Sequence, residues 1–517
     1  MLHFIGKFLK EGHSIDCVVL NYFLFTVNWF KTSWYSKLLR TSLAIAIILL
    51  ALSGFGQQDT AIKSAVLVKR HPIIAGYQVV GINIGVWGMN RIAGATFADI
   101  GFKSIKRNFR TGFVWDNDQF STNMIFHPYH GGLYYNAARM NGLSFATSTA
   151  YTLGGSLMWE LFMETEPPSI NDVFATTLGG IALGEITFRL ANGIVDNRKR
   201  GLNRVWREAL VTVISPTVGF NRLIKGEMWR RKHFKDAFSQ TDSPKPVIAF
   251  TSGMAWLSSN KRIDKGVSSG FARLNVNYGQ PMDRYEMPYD YFTVQADLIV
   301  RKQVSMGDVS LLGRIWSREY NTQSERKLVF GIFQHFDYIS KDTSENAKKA
   351  VPVQISGAAV VGGGILTNQP AFGHKALLEH ALYANIVFLG GTHSDYYSVI
   401  ERNYNLGSGY SIKSFNSLKW GTNSEIRCNY HLMHLFTWRN KIDSLYYKTL
   451  DPHYLDVQGT PGNTQIHILQ AGYGYLFSKR FAANFDMFFY HRESRYIDYA
   501  MVVSNTFRFT LGLSYKL

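Results

Sequence analysis

The chain has 517 residues, enough for two or three domains or for a large membrane barrel. Its mean hydropathy of -0.08 is too low for a polytopic helical membrane protein, but a β-barrel tolerates it because half of each strand faces a polar lumen. The formal charge of +18 does not read as nucleic-acid binding: the basic residues are dispersed through strand-like segments, with no zinc-finger pairs, helix-turn-helix or single-strand-binding module. A basic lumen, or loops facing anionic headgroups, accounts for it better.

At the N-terminus, Lys37 and Arg40 precede an apolar run from Thr41 to Leu52, and Gly54 and Gly56 stand at −3 and −1 before Gln57. That order is a secretory signal peptide cleaved near Gly56/Gln57. The run is short for a membrane span, which needs about 20 residues. Ahead of it no methionine follows Met1 until Met89, so residues 1–56 read as a signal peptide behind an extension from a start codon placed too early. Cys17 falls in the removed segment and leaves Cys428 alone, which excludes an internal disulfide and a thiolate metal site.

Residues 57–112 are an N-terminal segment to which no element is assigned. Residues 113–240 form a helical module. Leu143 to Met163 carries Glu160 as its only charge within an apolar, small-residue-rich helix, and Pro167-Pro168 stops it. Ser169 is an N-cap with Asp172 as its capping-box partner, opening a helix that runs to about Asn192. Gly180 and Gly184 give that helix a face for close packing, and Glu185 and Arg189 are spaced to pair.

The chemistry-bearing residues of the module are His127, His130, Arg139, Glu160, Glu164, Asp172 and Glu185. Glu160 and Glu164 are expected on one helix face, one turn apart. If His127 or Asp172 approached them, an oxygen-rich metal site or a general acid–base pair would result. Glu160, Glu164 and His127 are the candidate catalytic groups; His130, Arg139, Asp172 and Glu185 are candidate ligand-binding groups. Each has a structural alternative: Asp172 as a cap, Glu185–Arg189 as an ion pair, His127 as a turn-former before Pro128. Ser148 and Ser156 lack any evident base, and no zinc, nucleophile-elbow or phosphate-loop motif occurs, so no cofactor or metal is implied.

From Val247 onward the chain alternates apolar and polar residues in segments of roughly ten, as barrel strands do. In the last segment Phe507, Phe509, Leu511, Leu513, Tyr515 and Leu517 alternate with Arg508, Thr510, Gly512, Ser514 and Lys516. The same pattern places Phe292, Val294 and Leu298, or Ile426, Cys428, Tyr430 and Leu432, on the lipid side. Arg273, Asp297, Arg427, His431 and Asp486 then face the lumen. About twelve such segments fit residues 246–517. A soluble sandwich also alternates, but it would leave edges that closure removes.

The run His127-Pro128, Gly131, Tyr134-Tyr135, Ala138-Arg139, Gly142, Ser156, Trp159-Glu160, Glu164, Pro168-Ser169, Asp172, Thr176, Gly179-Gly180 and Gly184-Glu185 resembles the bacterial family catalogued as domain of unknown function 3943. Ser215-Pro216, Asn221-Arg222 and an Asn405–Gly409 loop are similar as well, with Ser408 where the family pattern has Pro. The resemblance implies an envelope protein of the outer membrane and brings no activity with it.

The chain therefore reads as mainly β, a transmembrane antiparallel β-barrel of about twelve strands preceded by a small helical module. Its expected location is the cell outer membrane, its expected partners outer-membrane lipid, lipopolysaccharide and the outer-membrane assembly machinery. Two functions stay open: a barrel that binds or passes an envelope ligand with the module packed on or in it, or an envelope enzyme acting on lipid or cell-wall material through the module's carboxylates. A helical hairpin of 143–163 and 173–195 through the inner membrane is disfavoured by Glu185 and Arg189, which are costly in lipid.

Overall fold

A computed structural model describes residues 70–115, 118–230, 244–259, 266–301, 304–321, 325–341, 353–396, 403–438 and 460–517. The expected signal segment and its cleavage site lie outside these residues. The chain divides into two compact units: one of helices, and one that joins Trp115–Ile125 to Pro244–Lys516. Residues 115–125, inside the stretch read from the sequence as helical module, thus count with the barrel.

The helical unit contains α1 (Pro72–Ile92), α2 (Phe102–Thr111), α3 (His127–Met140), α4 (Phe145–Phe162), α5 (Ile170–Phe174), α6 (Gly180–Ile194), α7 (Gly201–Ile214) and α8 (Pro216–Ile224), with a π-turn over Ala175–Gly179 between α5 and α6. Its centre is the α3–α6 contact. A Cβ on Gly131 would lie 1.7 Å from the Thr176 carbonyl oxygen, and one on Gly180 would lie 2.6 Å from Gly131. Only hydrogen at these positions lets the two backbones touch. Ser144 caps α4 by accepting from Thr147 N, and Ser169 caps α5 by accepting from Asp172 N at 3.2 Å.

Among the described residues, two helical stretches are long and apolar enough to cross a membrane, Pro72–Ile92 and Ile170–Ile194. The second is mostly buried within its unit, so it packs on protein. The first, α1, was not anticipated: four glycines and three amides dilute its apolar pattern, and it exposes Ile73, Tyr77 and Ile92.

The other unit is a closed barrel of twelve antiparallel strands, β1 (Val247–Ser259), β2 (Gly266–Tyr278), β3 (Phe292–Val300), β4 (Val304–Asn321), β5 (Lys327–Lys341), β6 (Val353–Ala371), β7 (Ala376–His393), β8 (Tyr404–Trp420), β9 (Ser424–Thr437), β10 (Gly462–Leu476), β11 (Phe481–Tyr496) and β12 (Val502–Lys516). Each strand pairs with its chain neighbours, and β1 closes on β12 with Gly253 opposite Gly512. The Asn405–Gly409 stretch is the start of β8 and not a loop: Cβ atoms on Gly407 and Gly409 would strike the β9 carbonyls of Phe436 and His434.

The alternation in β12 is as read: Leu511 and Leu513 are exposed while Arg508 and Thr510 are buried. Outward Met254, Ile332, Ile365, Ile386, Ile426, Leu469 and Phe485 continue that apolar surface around the barrel. At the end with short turns, Phe372–Trp420 and Phe481–Tyr515 form aromatic pairs, the girdle a membrane interface selects. From Phe507 to Tyr515 the apolar face of β12 rises roughly 20 Å at barrel tilt, close to the about 25 Å of an outer-membrane apolar band. This is the architecture of a transmembrane β-barrel.

Candidate functional site

Within the helical unit, polar side chains collect in three places along α3. At its start, His127 Nε2 lies 3.3 Å from Asp172 Oδ1, and His127 Nδ1 lies 3.3 Å from Thr176 Oγ1. The structure thus brings together His127 and Asp172. One turn on, Tyr134 OH donates to Asn83 Oδ1 of α1 and meets His130 Nε2 at 2.8 Å. Burial, aided by the charge of His127, pushes His130 down to about 3, so its imidazole is neutral. Burial also holds the Tyr134 hydroxyl well above its ordinary range, and the Glu160 and Glu164 charges push the same way.

Glu160 is buried, and its Oε2 accepts the backbone N–H of Ser169 at 2.7 Å. The reciprocal bond of the capping box, expected from Asp172, thus comes from the preceding helix. Glu164 does not share a helix face with Glu160. α4 ends at Phe162, and Glu164 Oε2 accepts the Trp159 indole N–H at 3.2 Å. Asn108 of α2 ties this end by donating to the Glu164 carbonyl at 3.0 Å. The Ser148 and Ser156 hydroxyls are buried without hydrogen-bond partners, so no base is aimed at either.

At the far end of α3, Glu185 is fully buried and fully engaged. It takes Arg189 Nε at 2.8 Å, Arg139 Nε at 2.8 Å and the Tyr135 hydroxyl at 2.8 Å. The i,i+4 pair was expected; the cross-helix Arg139 was not. Arg222 on α8 is likewise held by both oxygens of Glu208, at 2.7 and 2.9 Å, and by Asn197 at 2.7 Å. Buried charges survive only with such pairing.

The barrel interior holds a second constellation that alternation located but could not pair. Arg508 on β12 reaches Asp297 on β3 at 3.0 Å and Asp308 on β4 at 3.1 Å. Arg273 on β2 binds Asp297 at 2.7 Å and Asp486 on β11 at 3.4 Å, and Arg427 on β9 binds Asp486 at 3.1 Å. A break in register beside Asp297, between Ala296 and Leu298, re-aims this stretch of β3. Across the lumen, Lys413 on β8 contacts Asp337 and His335 on β5.

Arg273, Asp297, Asp486, Arg508, Lys413 and Asp337 are buried and Asp308 and Arg427 partly so, whereas a water-filled pore would leave them exposed. The network sets Arg273, Arg427 and Arg508 against Asp297, Asp308, Asp486 and Glu425, so it is not the basic lumen that the net charge suggested. Nor is the interior wholly polar. Val353, Ile355, Val387, Met433, Ile466 and Phe488 pack in one cluster, and Leu312, Phe333, Leu366 and Tyr383 in another.

Chain segments of the same unit cap this interior at both ends. In the 279–291 connection, Tyr289 is fully buried at φ +63°, donating to Gln334 Oε1 at 2.8 Å, while Arg314 holds Asp290 at 2.7 Å. Gly313 makes the room, since a Cβ there would lie 2.1 Å from the Tyr289 ring. At the other end Phe120 packs on Tyr404 at 5.0 Å, Asn123 donates to the Tyr404 hydroxyl at 2.8 Å, and Trp115 lies on Trp438 at 3.8 Å.

No curated protein matches the chain. Among solved structures, the NanC porin is similar with 10% identity and a TM-score of 0.27, covering 52% of this chain and 100% of its own. The outer-membrane channel DcaP of Acinetobacter baumannii is similar at 8% identity and TM-score 0.20, over 53% of this chain and 99% of its own. The Pseudomonas putida toluene transporter TodX gives 8% and 0.22, over 54% and 90%. These values are too low for any property of those proteins to be carried over. The helical signature stands on firmer ground: residues 112–217 match the family model described as Domain of unknown function (DUF3943), and over this stretch the chain resembles that family.

Proposed function

We propose that the protein is an outer-membrane barrel, exported on its signal peptide, that is closed at rest and passes an envelope ligand only when its interior ion pairs are broken. One observation carries this reading: Arg273, Asp297, Asp486 and Arg508, from β2, β3, β11 and β12, are buried against each other in the lumen, and partly buried Asp308 and Arg427 extend the network to β4 and β9. An open pore has no use for cross-lumen pairs whose desolvation is this costly, whereas a lock does. The carboxylates on which an envelope enzyme would depend are bound instead to Ser169, Trp159, Arg139 and Arg189.

Heat-modifiable gel migration of the outer-membrane fraction tests the barrel, and planar-bilayer conductance tests the lock. The wild type is expected to shift on heating and to conduct little. Arg508→Ala with Asp297→Ala is expected to conduct. Porin-like conductance of the wild type overturns the closed state, and a silent double variant overturns the lock.

A further inference from the structure

The outer face of β9–β12 changes character abruptly toward the end with long connections. Tyr430, Leu469, Phe489 and Phe507 form one apolar, aromatic row across the four strands. In the next row His467 lies opposite His491, and His491 opposite Asn505. Beyond it, His434 lies opposite Gln465 and Gln465 opposite Glu493.

These groups are linked into one surface. His491 Nδ1 is 2.8 Å from Asn505 Oδ1, His467 Nδ1 is 2.7 Å from the Tyr430 hydroxyl, and the two imidazoles are 5.9 Å apart. His434 stacks on Tyr410 at 5.3 Å and closes the edge of this surface. Arg495 stands alongside, exposed, and bonded to Glu493. Side chains of this kind have no place against acyl chains, but they suit the layer of headgroups just above them.

We propose that this face is a docking site for the phosphorylated glycolipid headgroup of the outer leaflet, with His467, His491 and Arg495 donating to phosphate and Gln465 to sugar hydroxyls, while buried Asn505 holds the His491 ring in place. The proposal rests on the outer-membrane reading above. Long connections lie on the outside of such barrels and short turns in the periplasm, which sets the patch at the outer leaflet. Donors to a phosphate form the stronger class of hydrogen bond, and the aromatic row beneath receives the acyl chains.

The test uses the full mature chain, extracted in detergent and titrated with bisphosphorylated lipid A, its dephosphorylated form and inorganic phosphate, with bound ligand counted by native mass spectrometry. His467→Ala with His491→Ala is expected to bind bisphosphorylated lipid A about a hundredfold more weakly than the wild type, as loss of two hydrogen bonds to a charged group implies at about tenfold each. The dephosphorylated lipid is expected to bind the wild type as weakly.

Equal binding by wild type and variant, or of both lipids, overturns the site, and so does inorganic phosphate competing at the concentration of the lipid. If the alanine variant loses its heat-dependent gel shift, His467→Gln with His491→Gln replaces it in the same titration. A wild type that fractionates away from the outer membrane defeats the location; one that fractionates there yet binds no lipid A defeats this inference alone.

Discussion

The helical unit and the barrel solve the same problem, buried charge, at different reaches along the chain. In the helical unit Glu185 pairs with Arg189 four residues on and with Arg139 on the neighbouring helix. In the barrel Arg508 pairs with Asp297, 211 residues away and three strands around the wall. Local pairs hold elements together. On the proposed reading cross-lumen pairs hold a volume shut, so breaking them tests function, while breaking local pairs tests only folding.

The largest separation between the units is expected from Asp297→Ala. It leaves Arg273 only its longer contact with Asp486 and Arg508 only its longer contact with Asp308, and losing a shared partner from a buried ionic network costs up to about 3–5 kcal/mol. The heat-modifiable shift, which reports the barrel, should move to lower temperature while helical circular dichroism melts as before. A shift of both would mean that the two units are one cooperative body.

Gly131→Ala is the converse. A Cβ pressed into the Thr176 carbonyl forces α3 and α6 apart, and overpacking of this kind costs roughly 1–3 kcal/mol. The helical melt should fall and the barrel shift should stay. An unchanged helical melt would show that the α3–α6 contact is not as tight as the geometry here.

The same contrast explains what could be read from the residues alone. Strand faces follow from period two, so the lipid side of β9, β11 and β12 and the inward Arg273, Asp297 and Asp486 were legible. Which inward charge meets which was not, because partners from β3 and β12 meet only after closure. In the helices, Ser169 and Glu185–Arg189 were legible because they act within four residues, and Gly180–Gly184 because their spacing of four marks a small face, although its partners Gly131 and Tyr135 lie on another helix. Glu160 was not: its partner, Ser169 N, becomes a neighbour only after the Pro167-Pro168 turn reverses the chain. The apolar interior of β6 was hidden for another reason. Irregularities at Gly357–Val360 break the alternation that marks a strand face.

A change of pH should also separate the units, by a smaller margin. His130 has a folded pKa of about 3 against an ordinary 6.5, so the unfolded chain binds the extra proton between those values. Its contribution to stability is complete above pH 6.5 and is lost as pH falls toward 3. Near pH 5 the loss is about 2 kcal/mol, since that pH lies about 1.5 units below the ordinary pKa. His130→Asn should flatten this slope in the helical melt between pH 6.5 and 4; an identical slope would remove His130 as its source.

The smallest expected effect is the most local. Ser169→Ala deletes the hydroxyl that accepts from Asp172 N but keeps the Ser169 backbone N–H that Glu160 holds. Loss of an N-cap costs about 1 kcal/mol, which should appear in the helical melt and nowhere in the barrel shift. Glu160→Gln in the same background distinguishes the two halves of this junction. If the cap and the Glu160 bond act independently, their costs add; if Glu160 serves mainly to present Ser169 to α5, the second change costs little once the hydroxyl is gone.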